Sequence, residues 1–286
     1  MKKLLFLLAG LIFMLVSCGG GDDENLDSPN NPNTPNNPTP APKPDDSNTV
    51  TLTAAGTLKT TLGENYLDIS TLKIIGPING SDIYCLREMA GGGEDENVIA
   101  NLSTLDLSEA EIMGGGKSYY GDEQYTSHHK IGDHMFQACN LLCNIVLPNS
   151  TTSIGYDAFY GCYNLTSITI PDIVTSIGHG AFSDCHALKS ITIPDKITTI
   201  EGWTFEDCNS LTSITIPKNV TSIGTIAFQY CNSLTKVYCY ATTPPEIEDS
   251  FRDTPNEKKL YIPKGCVTAY EASDWAIYFE NIVEMD

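Results

Sequence analysis

Apolar positions recur along the second half of this chain with a fixed period. Between Lys130 and Pro244 five contiguous units of 23 residues follow one another without a gap. They are KIGDHMFQACNLLCNIVLPNSTT, SIGYDAFYGCYNLTSITIPDIVT, SIGHGAFSDCHALKSITIPDKIT, TIEGWTFEDCNSLTSITIPKNVT and SIGTIAFQYCNSLTKVYCYATTP. Each contains an apolar triad at i, i+3 and i+5, as in Leu165-Ile168-Ile170, Leu188-Ile191-Ile193 and Leu211-Ile214-Ile216. The last two members alternate with polar residues, which is the period of a short half-buried strand. Proline at 148, 171, 194 and 217 closes each strand, because it has no amide to give to a ladder. The chain then turns inward again at an Ala-Phe-x-x-Cys cluster, so Phe and Cys are expected to form buried columns. A sixth, degenerate unit keeps the register through Phe251, Leu260, Ile262 and Pro263.

A single unit cannot stand alone. Its six buried apolar side chains contribute roughly 9–18 kcal/mol, whereas ordering 23 backbones costs at least about 23 kcal/mol. Stacking units side by side supplies the missing burial, which predicts a solenoid of α/β to mainly β class with short parallel strands. Two weaker triads upstream, Ile69-Leu72-Ile74 and Leu102-Leu105-Leu107, read as divergent turns of an N-terminal cap. Tyr270, Trp275, Phe279 and Ile282 are expected to cover the other end, since an open solenoid exposes both an edge and a core. The expected division is 1–17 leader, 18–48 linker, 49–129 N-terminal cap, 130–267 repeats and 268–286 C-terminal cap.

The recurring phrase LTSITIP…VTSIG..AF..C resembles the BspA-like, or Treponema-type, leucine-rich-repeat family over residues 130–244. The ending ATTPPEI, LYIPKGC and AYEASDWAIYFENIVEMD also looks like that family's usual close. The resemblance implies a capped leucine-rich-repeat solenoid at a cell surface, in a family associated with adhesion to host proteins and cells. It names no ligand.

The N-terminus points the same way. Lys2 and Lys3 precede an apolar run from Leu4 to Val16, which is a secretory leader too short to span a bilayer of about 20 residues. Its end, LVSC, resembles a lipobox, in which Cys18 would be acylated and become the first mature residue. The acidic run Asp22-Asp23-Glu24 looks like the signal that sends lipoproteins of the Bacteroides group to the outer face of the outer membrane. Residues 26–48 are Asn, Pro, Thr, Ser and Asp with almost nothing apolar, so they read as an extended stalk without a core.

Charge and cysteines narrow the picture further. Sixteen Lys plus Arg stand against 36 Asp plus Glu, a net charge of −20. A polyanion of this strength is a poor partner for nucleic acid or anionic lipid. Ten cysteines in a secreted chain would suggest a disulfide framework, but Cys139, Cys162, Cys185, Cys208 and Cys231 recur at the repeat period. They mark one buried position per turn and are expected to be reduced.

Catalytic and cofactor motifs fit poorly. Gly114-Gly115-Gly116-Lys117-Ser118 imitates the end of a phosphate loop, yet Glu111 stands where the first glycine belongs. GGGEDEN at 91–97 lacks the repetition of a calcium-binding β-roll. His128, His129 and His134 lie near Cys139 and Cys143, but Cys139 belongs to the buried column and Cys143 is expected on the exposed strand face, so no metal or other cofactor is expected. His179 and His186 occupy variable positions and read as surface residues. The outward strand positions carry hydroxyls: Ser167 and Thr169, Ser190 and Thr192, Ser213 and Thr215. The insert at 113–129 is expected to protrude as a loop, with Tyr119, Tyr120 and Tyr125 as contact anchors beside the hydroxyl face.

The chain therefore reads as a non-catalytic, lipid-anchored surface module that binds an extracellular or host protein. The alternative is a carbohydrate-binding lipoprotein that helps capture polysaccharide, for which Tyr156, Tyr160, Tyr163, Trp203 and Tyr230 would be the platforms.

Overall fold

The computed structural model describes residues 48–94 and 98–285. The leader, the acylation site Cys18, the acidic run and all but the last residue of the stalk lie outside the described residues, as does part of the GGGEDEN segment. No helix among the described residues is long and apolar enough to cross a membrane.

Two parallel ladders run along the solenoid. The first begins with Thr49–Thr51, Thr71–Ile78, Thr104–Ile112, Asn144–Val146 and Ser167–Thr169, each paired to the next. It resumes through a single bridge, Thr192 to Thr215, into Ser213–Ile216, Lys236–Cys239, Lys259–Ile262 and Asn281–Glu284. Register partners share the repeat position: Leu72, Leu105, Ile145 and Ile168 in one run, Ile214, Val237, Leu260 and Ile282 in the other. The two upstream triads thus lie in line with the regular turns.

The second ladder was not evident in the sequence. Its strands are two residues long: Lys130–Ile131, Ser153–Ile154 and Ser176–Ile177 in one group, Thr199–Ile200, Ser222–Ile223 and Glu246–Ile247 in the other. Each regular turn therefore contributes two strand positions, one before and one after the Phe-Cys turn.

Between the ladders the rings of Phe136, Phe159, Phe182, Phe205, Phe228 and Phe251 stack at 5.0–5.6 Å with nearly parallel planes. The cysteine column lies beside them, fully buried. Four of its five thiols donate to the Phe carbonyl of the preceding turn: Cys162 to Phe136 at 3.1 Å, Cys185 to Phe159 at 3.3 Å, Cys208 to Phe182 at 3.3 Å and Cys231 to Phe205 at 3.1 Å. A small apolar side chain with one weak donor suits that position. Among the described residues, eight cysteines are free thiols. Cys143 is buried, not on the exposed strand face where the alternation pattern placed it.

The ends are closed by different chemistry. At the C-terminal end Trp275 and Phe279 pack on Phe251 at 5.5 and 5.0 Å, with the Trp275 indole donating to the Pro245 carbonyl at 2.8 Å. At the N-terminal end the backbone itself needs closing. In the Phe-Cys turns, amides donate forward: His134 to Tyr156, Phe136 to Ala158 and Ala138 to Tyr160, and then Asp157 to His179, Phe159 to Ala181 and Gly161 to Ser183. The carbonyls of Asp133, Met135 and Gln137 occupy the accepting positions of the first such turn and have no earlier turn to serve them. Arg87 donates to Met135 and Gln137 at 3.2 and 3.1 Å, and the Tyr119 hydroxyl donates to Asp133 at 3.0 Å. Arg87 also serves His134 and Gly92 at 3.0 and 2.8 Å. Its burial follows from these partners, because a buried guanidinium needs its donors filled.

Arg87 sits on a helix, Gly80–Met89, that the sequence reading missed. Asn79 and Asp82 form a capping box at its start, and the Asp82 carboxylate also accepts from the amides of Gly56 and Leu58. Tyr119 comes from the 113–129 insert. That segment does not protrude as a free loop: Gly115–Tyr120 and Gln124–Thr126 form an antiparallel hairpin folded against the helix. The imitation phosphate loop is part of its first strand. Gly80 permits the approach, since a Cβ there would overlap the Lys117 carbonyl.

Candidate functional site

The hydroxyl face is present. Ser167, Thr169, Ser190, Thr192, Ser213 and Thr215 all point outward from the first ladder, with Thr169 and Thr192 exposed and the other four half-buried. Ser167 donates to the Asn144 amide oxygen at 2.6 Å. Toward the C-terminal end the same columns continue as Lys236 and Lys259, and as Tyr238 stacked on Tyr261 at 4.6 Å.

The three tyrosines of the insert do not form one surface. Tyr119 is buried at 1% exposure and spent on closing the ladder, so its expected role as a contact anchor is corrected. Tyr120 is half-buried, stacked on His134 at 5.0 Å and lying under the Arg87 guanidinium. Tyr125 alone is exposed, its hydroxyl donating to Asp122 at 3.3 Å. His134 is held between Tyr120 and Tyr156, with Nδ1 2.6 Å from Gln137 Oε1, and does not converge with Cys139.

A cavity of about 560 Å³ opens between the helix, the hairpin and the glycine run, lined by Tyr84, Arg87, Glu94, Tyr119, Tyr120 and Asn140 among others. Its strongest donors, on Arg87 and Tyr119, are already consumed by backbone carbonyls.

The most distinctive surface is the ridge formed by the Phe-Cys turns. Each turn holds two residues in the left-handed region, one before the Phe and one after. The first column is His134, Asp157, Gly180, Trp203, Ile226 and Asp249; the second is Ala138, Gly161, Asp184, Asp207, Tyr230 and Asp253, with φ between 48 and 69°. Glycine and aspartate tolerate this conformation, whereas bulky side chains are strained there by roughly 1–2 kcal/mol. Trp203 and Tyr230 nevertheless stand at such positions, 44% and 45% exposed. The strain recovers little burial in return.

Aromatic side chains continue along this ridge. Tyr120, His134, Tyr156, His179 and Trp203 make an unbroken ribbon with centroids 5.0–5.7 Å apart. A second group combines Tyr163 stacked on His186 at 5.0 Å with Asp184, Glu206, Asp207 and Asn209. Burial and the carboxylates of Asp184 and Asp207 hold the Glu206 carboxyl above its ordinary value, and a hydrogen bond to Asp184 pushes the Tyr160 hydroxyl up to about 12. The column thiols are pushed up by burial and are poor nucleophiles, Cys139 to about 11. What the ridge offers is contact area, ring edges and negative charge. Sequence reading named Tyr156, Tyr160, Tyr163, Trp203 and Tyr230 one by one. It missed their alignment, because residues at slightly different offsets in successive turns form the ribbon.

The repeat region is similar to known proteins. Residues 129–258 match the profile described as BspA type leucine rich repeat region, in six copies. Among solved structures, the T. pallidum leucine-rich-repeat protein is 32% identical over 43% of this chain and 56% of its own, with a TM-score of 0.38. A leucine-rich-repeat protein from Bacteroides ovatus is 18% identical over 76% of this chain and 61% of its own, with a TM-score of 0.39. The pneumococcal vaccine antigen PcpA is 14% identical over 84% and 56%, with a TM-score of 0.46. The chain thus spans less than two thirds of the length of each of these three. No curated protein matches. The chain is a leucine-rich-repeat protein, and its residues 129–258 are a BspA-type leucine-rich-repeat region.

Proposed function

We propose that this chain is a cell-surface, lipid-anchored module that binds an extracellular or host protein along the aromatic and acidic ridge of its Phe-Cys turns, without catalysis. The observation that carries the reading is Trp203 and Tyr230, two bulky aromatics kept exposed at left-handed positions where glycine or aspartate would sit without strain. Exposed Trp and Tyr are also the residue types that dominate protein contacts. The leader and LVSC support attachment to a membrane through Cys18, and the acidic run Asp22-Asp23-Glu24 supports the outer face of the outer membrane. The flanking hydroxyl face and Tyr125 are secondary contacts.

The polysaccharide alternative is less well served by the same ridge. A sugar packs its C–H groups on an open ring face, but the ribbon rings lie against one another at 5.0–5.7 Å and present mainly edges, hydroxyls and ring nitrogens. The test uses parallel arrays of extracellular proteins and of glycans, probed with the protein and with its Trp203→Gly, Tyr230→Gly variant. Glycine relieves the left-handed strain, so the variant should keep its stability within about 1 kcal/mol. Saturable binding to a protein that this variant loses supports the reading. Binding to glycans alone, or protein binding indifferent to the two substitutions, overturns it. Separately, Cys18→Ala should release the protein from membranes, and quantitative retention would refute the anchor.

A further inference from the structure

Within the ridge, three potential metal ligands from two adjacent turns meet at one point. Asp184 and His186 flank Cys185 in one turn, and Asp207 occupies the position equivalent to Asp184 in the next. His186 Nε2 lies 3.4 Å from Asp184 Oδ1 and 3.6 Å from Asp207 Oδ2, and one ligand atom from each residue falls within 4.8 Å of the others. An ion with bonds of about 2.1 Å in tetrahedral geometry sets its ligand atoms about 3.4 Å apart, which the two nitrogen–oxygen distances match. Nε2 is itself buried and has no hydrogen-bond partner among the described residues, so its lone pair or proton is aimed between the two carboxylates and is otherwise unused.

The surroundings hold these side chains in place. Asp184 and Asp207 are both in the left-handed conformation, with their amides donating to Glu206 and Gln229 of the next turn at 2.9 and 2.8 Å. Asn209 donates to the other oxygen of Asp207 at 2.5 Å, and the His186 ring lies on Tyr163. Such partners orient ligating groups and fix which atom faces an ion. Glu206 adds a third negative charge beside the pair, donated to by Ser183 at 3.2 Å.

We propose that Asp184, His186 and Asp207 bind one divalent transition-metal ion, of the Zn²⁺ type, with the remaining coordination positions open to solvent. One imidazole and two carboxylates select such an ion over Mg²⁺ or Ca²⁺, which favour all-oxygen sites. All three ligands are only partly exposed, at 24–42% of their side-chain surface, so the ion would be approached from one side.

The experiment titrates Zn²⁺ into the full-length protein by calorimetry and compares His186→Gln and Asp207→Asn with the control His179→Gln. Asparagine tolerates a left-handed backbone and His186 is half-exposed, so each variant is expected to melt within a few degrees of the wild type without metal. One ion per chain should bind the wild type and His179→Gln, with affinity at least tenfold weaker in the two site variants. Mg²⁺ at the same concentration should not compete, and saturating Zn²⁺ should raise the wild-type melting temperature. No saturable binding, or binding unchanged in both site variants, overturns the proposal; the second outcome would assign the ion to acids or thiols elsewhere in the chain.

Discussion

At the scale of single residues, side chains here are best understood by what the neighbouring turn lacks. Phe182 is fully buried, with Phe159 and Phe205 on its two faces at 5.3 and 5.6 Å. Phe182→Ala should open a cavity that rigid neighbours cannot fill and cost roughly 3–5 kcal/mol. Urea denaturation measures this, and an unchanged midpoint would mean the column does not carry the fold. Arg87 does the opposite kind of work, satisfying polar atoms instead of filling space. Arg87→Met keeps most of the apolar volume but leaves the Met135 and Gln137 carbonyls buried without donors. At about 1–3 kcal/mol for each orphaned group, a loss of about 2–6 kcal/mol is expected. Arg87→Lys should rescue little, because one ammonium cannot reproduce a fork that serves four carbonyls. Rescue to wild-type stability by lysine would show that charge, not donor geometry, is what matters.

At the scale of elements, the regular turns were legible and the N-terminal helix and hairpin were not. In the turns, the Phe and Cys positions repeat without change and the first two strand positions stay aliphatic, so Phe159, Cys162, Leu165 and Ile168 announce one another. The helix Gly80–Met89 buries Gly80, Asp82 and Arg87 along with Ile83, Cys85, Leu86 and Met89. Its polar buried positions hide the apolar stripe that would normally mark a helix, and their partners lie 24–50 residues away. The capping pair Asn79 and Asp82 was a readable start signal that passed unnoticed. The second ladder escaped for another reason: two-residue strands such as Ser176–Ile177 carry too little alternation to be recognised. The candidate site was half legible, its tyrosines and Trp203 by type, its ribbon and the Asp184–His186–Asp207 meeting only by cross-turn register. Hairpin and helix dock through Gly80, so Gly80→Ala should force Lys117 away and cost about 1–3 kcal/mol. Hydrogen exchange should quicken in residues 115–126 while the amides of the Phe-Cys turns stay protected. Equal loss of protection in both regions would mean the hairpin is integral to the repeat stack.

At the scale of the whole molecule, a column of buried thiols makes stability a function of pH. Burial pushes up the thiols of Cys85, Cys139, Cys162, Cys185, Cys208, Cys231 and Cys239, to about 12 for Cys85 and about 11 for Cys139. In the unfolded chain a thiol ionises near 8.5. Below that value each is protonated in both states and adds no pH dependence. Above it the unfolded chain releases protons that the fold retains, so stability falls as pH rises. Each thiol contributes a slope of about 1.4 kcal/mol per pH unit once fully engaged, and seven acting together approach 10 kcal/mol per unit. One group opposes them. Lys258, over the Phe279 ring and donating to the Pro255 carbonyl, is pushed down to about 8 by burial, and stabilises progressively from there to its ordinary value. One proton against seven cannot reverse the trend. Because a domain holds only about 5–15 kcal/mol in total, the fold should be lost cooperatively between about pH 9 and 10.5. Urea midpoints at pH 7.5, 8.5 and 9.5 would measure the slope. In a Cys162→Ala, Cys208→Ala variant the slope should shrink by about two protons, whatever happens to the absolute midpoint. Equal midpoints at pH 7.5 and 9.5 would mean that the thiols are not held protonated in the folded chain. The same column explains how a chain with repeating cysteines can use them without linking them: four of the thiols donate to a carbonyl of the previous turn, and ionisation ends both that bond and the burial that supports it.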